Sequence, residues 1–268
     1  MGNIWIPFLL TLLAGMSTMI GASIAFFVNK SNKKFLSISL GFSAGVMIYI
    51  SMAEILPEAK IILIKEFGKH LGIGYSVLML FLGMLIMGLI DWLVPSEENP
   101  HELRDYNGVG GKTVEINSKR VQRTGILMAI SIGIHNFPEG ISTFITSIQD
   151  LKLGMAIAFA VAIHNIPEGI SVSIPIFYAT GSRKKAFYYS SLSGVSEVVG
   201  AFFAYFFLFS FLTPALFGMT LSLVSGLMIY ISFDELLPAA EEYGNHHLSL
   251  LGLIMGMLIM ALSLIGFV

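Results

Sequence analysis

Apolar and polar positions fall into long blocks along this chain. Runs near or above the ~20 residues needed to cross ~30 Å of hydrocarbon occupy 4–28, 35–56, 75–94, 124–148, 153–177, 186–212, 216–237 and 248–268. Short polar segments part most of them, and the one long polar stretch is 95–122. A membrane β-barrel would instead alternate apolar and polar residues over short segments. The pattern predicts an all-α polytopic membrane protein with eight transmembrane helices and a single membrane domain over 1–268. An even number of crossings puts both termini on one side. Pro, Asn-Gly and Gly-Gly punctuation and mixed charge predict a flexible linker at 95–122. It divides spans one to three (4–94) from spans four and five (124–177) and six to eight (186–268).

Composition agrees. Apolar residues make up 55% of the chain and charged residues 12%, with mean hydropathy +0.81, which excludes an ordinary soluble domain. The charges also set an orientation. Lys30, Lys33 and Lys34 follow span one; Arg104, Lys112, Lys119, Arg120 and Arg123 follow span three; Arg183, Lys184 and Lys185 follow span five. Only Lys60, Lys65, Lys69 and Lys152 lie on the other face. The positive-inside rule then makes the basic loops cytoplasmic and both termini extracytoplasmic. The expected location is the cytoplasmic (inner) membrane. The first run lacks a basic lead and a small-residue cleavage pattern, so it reads as a span and not a signal peptide. Gly2 does not begin a myristoylation motif, because position 6 is Ile. There is no cysteine, so any metal site must use nitrogen, oxygen or thioether ligands. The net charge of -2 says little about partners. The lipid bilayer is expected as one, nucleic acid is not, and assembly as a homodimer is left open.

One phrase occurs twice. Ile134-His-Asn-Phe-Pro-Glu-Gly-Ile-Ser142 returns as Ile163-His-Asn-Ile-Pro-Glu-Gly-Ile-Ser171, with eight of nine positions identical at an offset of 29. Each copy sits midway along an apolar span. Polar side chains there are costly and persist where they face a bundle interior or a wet cavity. At 3.6 residues per turn, His135 and Glu139 share a helix face, with Asn136 beside them. His164, Asn165 and Glu168 repeat the arrangement. Facing copies would offer two imidazoles, two amide oxygens and two carboxylates able to bridge. Imidazole with carboxylate suits zinc or ferrous iron, and oxygen-rich sets suit harder ions. Pro138 and Pro167 leave the carbonyls of Ile134 and Ile163 without their helical donors, which is tolerated beside a cavity. Gly140 and Gly169 permit close helix approach. Glu197, near the middle of span six, reads as functional. Three carboxylates would nearly balance two divalent cations, and a dication left unbalanced in a low dielectric would be prohibitive.

Other residues keep two readings. Ser142, Thr143, Thr146, Ser171 and Ser173 either line a path or make helix–helix hydrogen bonds. Glu54, Asp234 and Glu235 are way-stations or solvated helix-end charges, and Asp91 lies near an interface. Met47 and Met228 are thioether ligands or core packing. Glu241, Glu242, His246 and His247 form a turn that hands metal on or is simply solvated.

A second repeat links 45–59 to 226–240, with ten of fifteen positions identical at an offset of 181. Five crossings separate the two copies, so they run antiparallel. Spans one to three then mirror six to eight, and span four mirrors five. Inverted repeats of this kind mark secondary transporters, with the substrate held at the midplane between them.

At the doubled His-Asn-x-Pro-Glu-Gly phrase the chain resembles the ZIP (Zrt/Irt-like) family of divalent-metal transporters, over essentially its whole length. The phrases at 42–59 and 232–238 look most like the family's bacterial branch. The resemblance implies a 3+2+3 helix arrangement and a binuclear metal site between spans four, five and six. One metal would be held by Glu139, His164 and Glu168, with His135 close by. The second would take Asn136, Glu139, Asn165, Glu168 and Glu197. The resemblance also implies import of Zn2+, and of Fe2+, Mn2+, Co2+ or Cd2+, bound as substrate and not as a cofactor. Many relatives have a histidine-rich loop after span three, where this chain has only His101. The rival reading, an intramembrane metalloprotease, would need His-Glu-x-x-His, which is absent. Direction of transport is not written in the residues.

Overall fold

A computed structural model describes residues 4–24, 33–93, 133, 136–211, 213–243 and 246–267. Among them there is no strand. The helices are α1 (Trp5–Ile24), α2 (Lys33–Ile50), α3 (Leu56–Phe67) and α4 (Lys69–Leu93), then α5 (136–149). They continue with α6 (Leu151–Thr180), α7 (Arg183–Phe203), α8 (Pro214–Ile231), α9 (Leu237–Tyr243) and α10 (His246–Phe267). Seven stretches of the described chain are long and apolar enough to cross a membrane. The remaining predicted span, the fourth, is described as helix over 136–149. Its earlier part, the 95–122 linker with His101, and Lys30 lie outside the described residues.

Several crossings are longer than the apolar runs suggest. Ser37–Phe67 is one continuous stretch of 31 residues, although the run was expected to stop at 56. Pro57 does not end it, because a π turn at Ser51–Ile55 precedes the proline. Proline lacks the N–H that would bond four residues back, and its ring crowds that carbonyl. A wider turn accommodates both defects. Gly68, at φ 78°, then reverses the chain into α4. Pro238 in the second repeat follows a π turn at Ser232–Leu236, the same position 181 residues on. A third π turn, Ala204–Leu208, extends α7.

The inverted repeat is visible in the packing. A Cβ added to Gly140 would overlap the Glu197 carbonyl, and one on Gly169 would overlap that of Thr18. Gly140 and Gly169 are 29 residues apart; Thr18 and Glu197 are 179 apart. Gly21 against Ile166 and Gly200 against Phe137 repeat the pair of offsets. Gly15 and Gly194, themselves 179 apart, press on each other's carbonyls, as expected where a two-fold axis passes. Elsewhere Gly45 meets Leu253 and Gly226 meets Leu80. Small residues of this kind bring helix backbones together where lipid supplies no hydrophobic drive.

These contacts sort the helices into two groups. α1, α5, α6 and α7 interlock by the first set of glycines. α2 packs on α10, α4 on α8, and α3 on both α4 and α8. α2 joins the groups through α6, where the Ser43 hydroxyl donates to the His164 carbonyl at 3.2 Å. Large apolar side chains face outward along α1, α4 and α10, as they should when the solvent is lipid. Met47 and Met228 lie in the shared core, and the Ser51 hydroxyl donates to the Met228 sulfur at 3.5 Å. Both methionines are buried there.

Candidate metal centre

The close approach of α5, α6 and α7 gathers the repeated polar residues in the bundle interior. Asn136 and Glu139 come from α5, His164, Asn165 and Glu168 from α6, and Glu197 from α7. All six are buried, and Asn136, Asn165 and Glu197 have no solvent exposure at all. His135 lies outside the described residues.

Each asparagine is anchored in the same way. Asn165 donates to the Ala14 carbonyl at 3.0 Å, and Asn136 to the Ser193 carbonyl at 3.4 Å. Ala14 and Ser193 are again 179 residues apart. Asn165 also donates to one oxygen of Glu197, while Asn136 hydrogen-bonds the Glu168 carboxylate. With its amide nitrogen so occupied, Asn165 presents an oxygen that has no hydrogen-bond partner among the described residues. The second oxygen of Glu197 is in the same condition. Leaving a buried acceptor unmade costs about 1–3 kcal/mol. Two such acceptors side by side call for a cation or a donor.

His164 is oriented from behind. Its Nδ1 lies 3.2 Å from the Ala160 carbonyl. A carbonyl only accepts, so Nδ1 carries the proton. Nε2 is therefore turned to the Glu139 carboxylate at 3.3 Å. That backbone hydrogen bond selects the ligating nitrogen of a metal-binding histidine. Glu139 also lies close enough to Glu168 and Glu197 for their charges to act on one another. Several carboxylates in a dry interior are mutually unfavourable until a cation joins them. Among the described residues, no three His, Asp or Glu side chains already converge in ligating geometry. What has formed is a His164–Glu139 pair and an Asn165–Glu197 pair.

Glu235 was left by the sequence as one of several span-end charges. It is buried within the second π turn and lies within electrostatic reach of Glu168. The second repeat was the available signal, but it treats Glu54 and Glu235 alike. Glu54 is only half-buried, and the charge acting on it is Glu58, on the same helix. Asp234 has a buried oxygen without a partner, and Asp91 acts on both Asp234 and Glu235. His246 pairs with Glu241 at 2.7 Å on an exposed turn. The Ser173 hydroxyl returns to the Ile170 carbonyl at 3.2 Å, an ordinary helix bond. The side chains of Ser171 and Glu242 lie outside the described residues.

The ZIP zinc transporter family profile matches residues 95–264. The chain is 54% identical to the zinc transporter ZupT of Streptococcus mutans, over 99% of each protein. It is 51% identical to that of Clostridium perfringens, over 100% of this chain and 98% of the relative. With that of Akkermansia muciniphila the identity is 52%, over 98% of each. These are transporters and not enzymes. A family profile spanning more than half the chain, and full-length relatives above half identity, leave one conclusion: the chain belongs to the ZIP zinc transporter family.

Proposed function

We propose that this protein carries Zn2+ into the cytoplasm through a binuclear site at the membrane midplane. Ligands to the first ion are Glu139, His164 and Glu168, with His135 alongside. Asn136, Asn165 and Glu197 hold the second, sharing Glu139 and Glu168 with the first. Fe2+, Mn2+, Co2+ and Cd2+ fit the same oxygen and nitrogen donors. The observation that carries this reading is the buried pairing of His164 with Glu139 beside the unpartnered oxygens of Asn165 and Glu197. Those atoms ask for positive charge in a place that water does not reach.

The grouping of helices supports an alternating-access mechanism. All the proposed ligands ride on α5, α6 and α7, which glycine contacts lock to α1. The α2, α4, α8 and α10 group meets the first chiefly where α2 packs on α6. Movement of the first group against the second would expose the site first to one side and then to the other. The positive-inside rule puts both termini outside and sets Glu235 on the cytoplasmic side of Glu168. That supports import. The whole chain, 1–268, works as one transporter domain with eight spans in the cytoplasmic membrane.

Zinc uptake by purified protein in proteoliposomes is the test. Replacing both Glu139 and Glu168 with Ala should lower the initial rate by about a hundred-fold or more, since each removes a shared ligand. A double variant working at the wild-type rate would refute the site.

A further inference from the structure

Many buried hydroxyls among the described residues are partnered by a carbonyl one turn back. Thr11 donates to Pro7, Ser17 to Ala14, Thr18 to Gly15, Ser147 to Thr143 and Ser225 to Leu221. Such bonds cost a helix little and leave no donor bare. Three residues depart from this habit together. Ser142, Thr143 and Thr146 are buried at 2%, 0% and 0% exposure, and none of their hydroxyls has a hydrogen-bond partner among the described residues. Among the described residues only Ser37 is a further buried hydroxyl in this state.

Their spacing places them on one stripe. Relative to Glu139 they stand at i+3, i+4 and i+7, the positions that share a helix face. The opposite flank of α5 is spoken for. Phe144 packs among Phe8 and Tyr205, with ring centroids 4.4 and 6.2 Å away, and Gly140 meets α7. The stripe therefore runs from Glu139 along α5 for about 10 Å, at 1.5 Å per residue. It ends at the exposed Gln149 and Asp150. The other copy of the phrase lacks it. The matching positions on α6 are Ser171, Val172 and Pro175. Two hydroxyls of the three are thus missing from a helix otherwise built to the same plan, so the scaffold does not require them.

We propose that Ser142, Thr143 and Thr146 form a station for a divalent cation that still carries part of its water shell, on the way to Glu139. The stripe has no charge, so it cannot hold a bare dication in a dry interior. Each hydroxyl can both donate and accept, which suits the waters around an ion. Three unmade hydroxyl bonds, each costing about 1–3 kcal/mol, are met when hydrated cargo passes. Glu139 then takes the ion as its waters leave.

This inference rests on the transport reading above and fails separately from it. The experiment compares the Ser142→Ala, Thr143→Val, Thr146→Val triple variant with wild type in zinc-uptake assays over a range of zinc concentration. Equilibrium zinc binding and thermal stability in detergent are measured alongside. The expected result is a KM raised about ten-fold with kcat within about two-fold, the mark of lost binding on the approach. Equilibrium zinc binding stays at the wild-type value and Tm is unchanged or higher, because methyls replace hydroxyls that made no bond. Wild-type KM in the triple variant overturns the station. A triple variant that does not fold also counts against it, since the hydroxyls would then be structural. Thr146→Val and Thr146→Ser decide that case alone: KM raised by Val and restored by Ser supports the station, and KM unmoved by Val overturns it. Absence of zinc uptake by the wild-type protein would refute the transport reading instead.

Discussion

Past its repeated phrase α5 continues with hydroxyls, while α6 continues with Val172 and Pro175. The helices run antiparallel, so these continuations lead to opposite faces of the membrane. On the far side of Glu168 the polar groups come from another helix: Glu235 and Asp234, from the second π turn. In the reading proposed above, near two-fold symmetry builds the cage, and its two approaches are chemically unlike. Neutral hydroxyls can pass a hydrated ion without gripping it. Carboxylates compete for the ion with the cage itself.

The comparison can be broken most severely at the helix contact that makes the cage. Gly140→Val would drive a branched side chain into the Glu197 backbone. Overpacking of this kind costs about 1–3 kcal/mol, occasionally more, so a large loss of Tm in detergent is expected, with zinc uptake abolished. Gly169→Val should do the same through Thr18. An effect at one glycine and none at the other would mean that the two halves are not equivalent. Next in size is Glu197→Ala. It takes one of two acceptors from the Asn165 amide and should lower uptake by about ten- to a hundred-fold. A smaller change tests the acidic approach. Glu235→Gln should slow uptake by about ten-fold, while its repeat mate Glu54→Gln should stay within about two-fold. Equal effects would erase the asymmetry between the approaches. The smallest is His246→Ala, which removes an exposed pair with Glu241. Exposed pairs contribute about 0–1 kcal/mol, so uptake and Tm should be unchanged within error.

Much of this was legible in the residues. The spans, the doubled phrase and the inverted duplication could be read directly, because periodicity and identity survive in one dimension. The anchoring of Asn136 and Asn165 could not, since their acceptors are backbone carbonyls of other helices. Glu235, read as a way-station or a solvated helix-end charge, was left undecided for a related reason. In a helix apolar all round, hydropathy tells depth but not which side faces the interior. The second crossing runs beyond 56, where its apolar run was expected to end. A π turn lets the helix pass the proline, and Lys65 and Lys69 are exposed beyond it. The hydroxyl stripe was visible as spacing only. That its members lack helical partners is a property of the folded chain.

The paired π turns also bear on ancestry. A π turn houses one residue more than regular helix would, so it is the footprint of an insertion. It stands at the same place in two segments that now run in opposite directions across the bilayer. The two segments thus share one local departure from regular helix, 181 residues apart. Both copies carry the glutamate, Glu54 and Glu235, and only the second is buried.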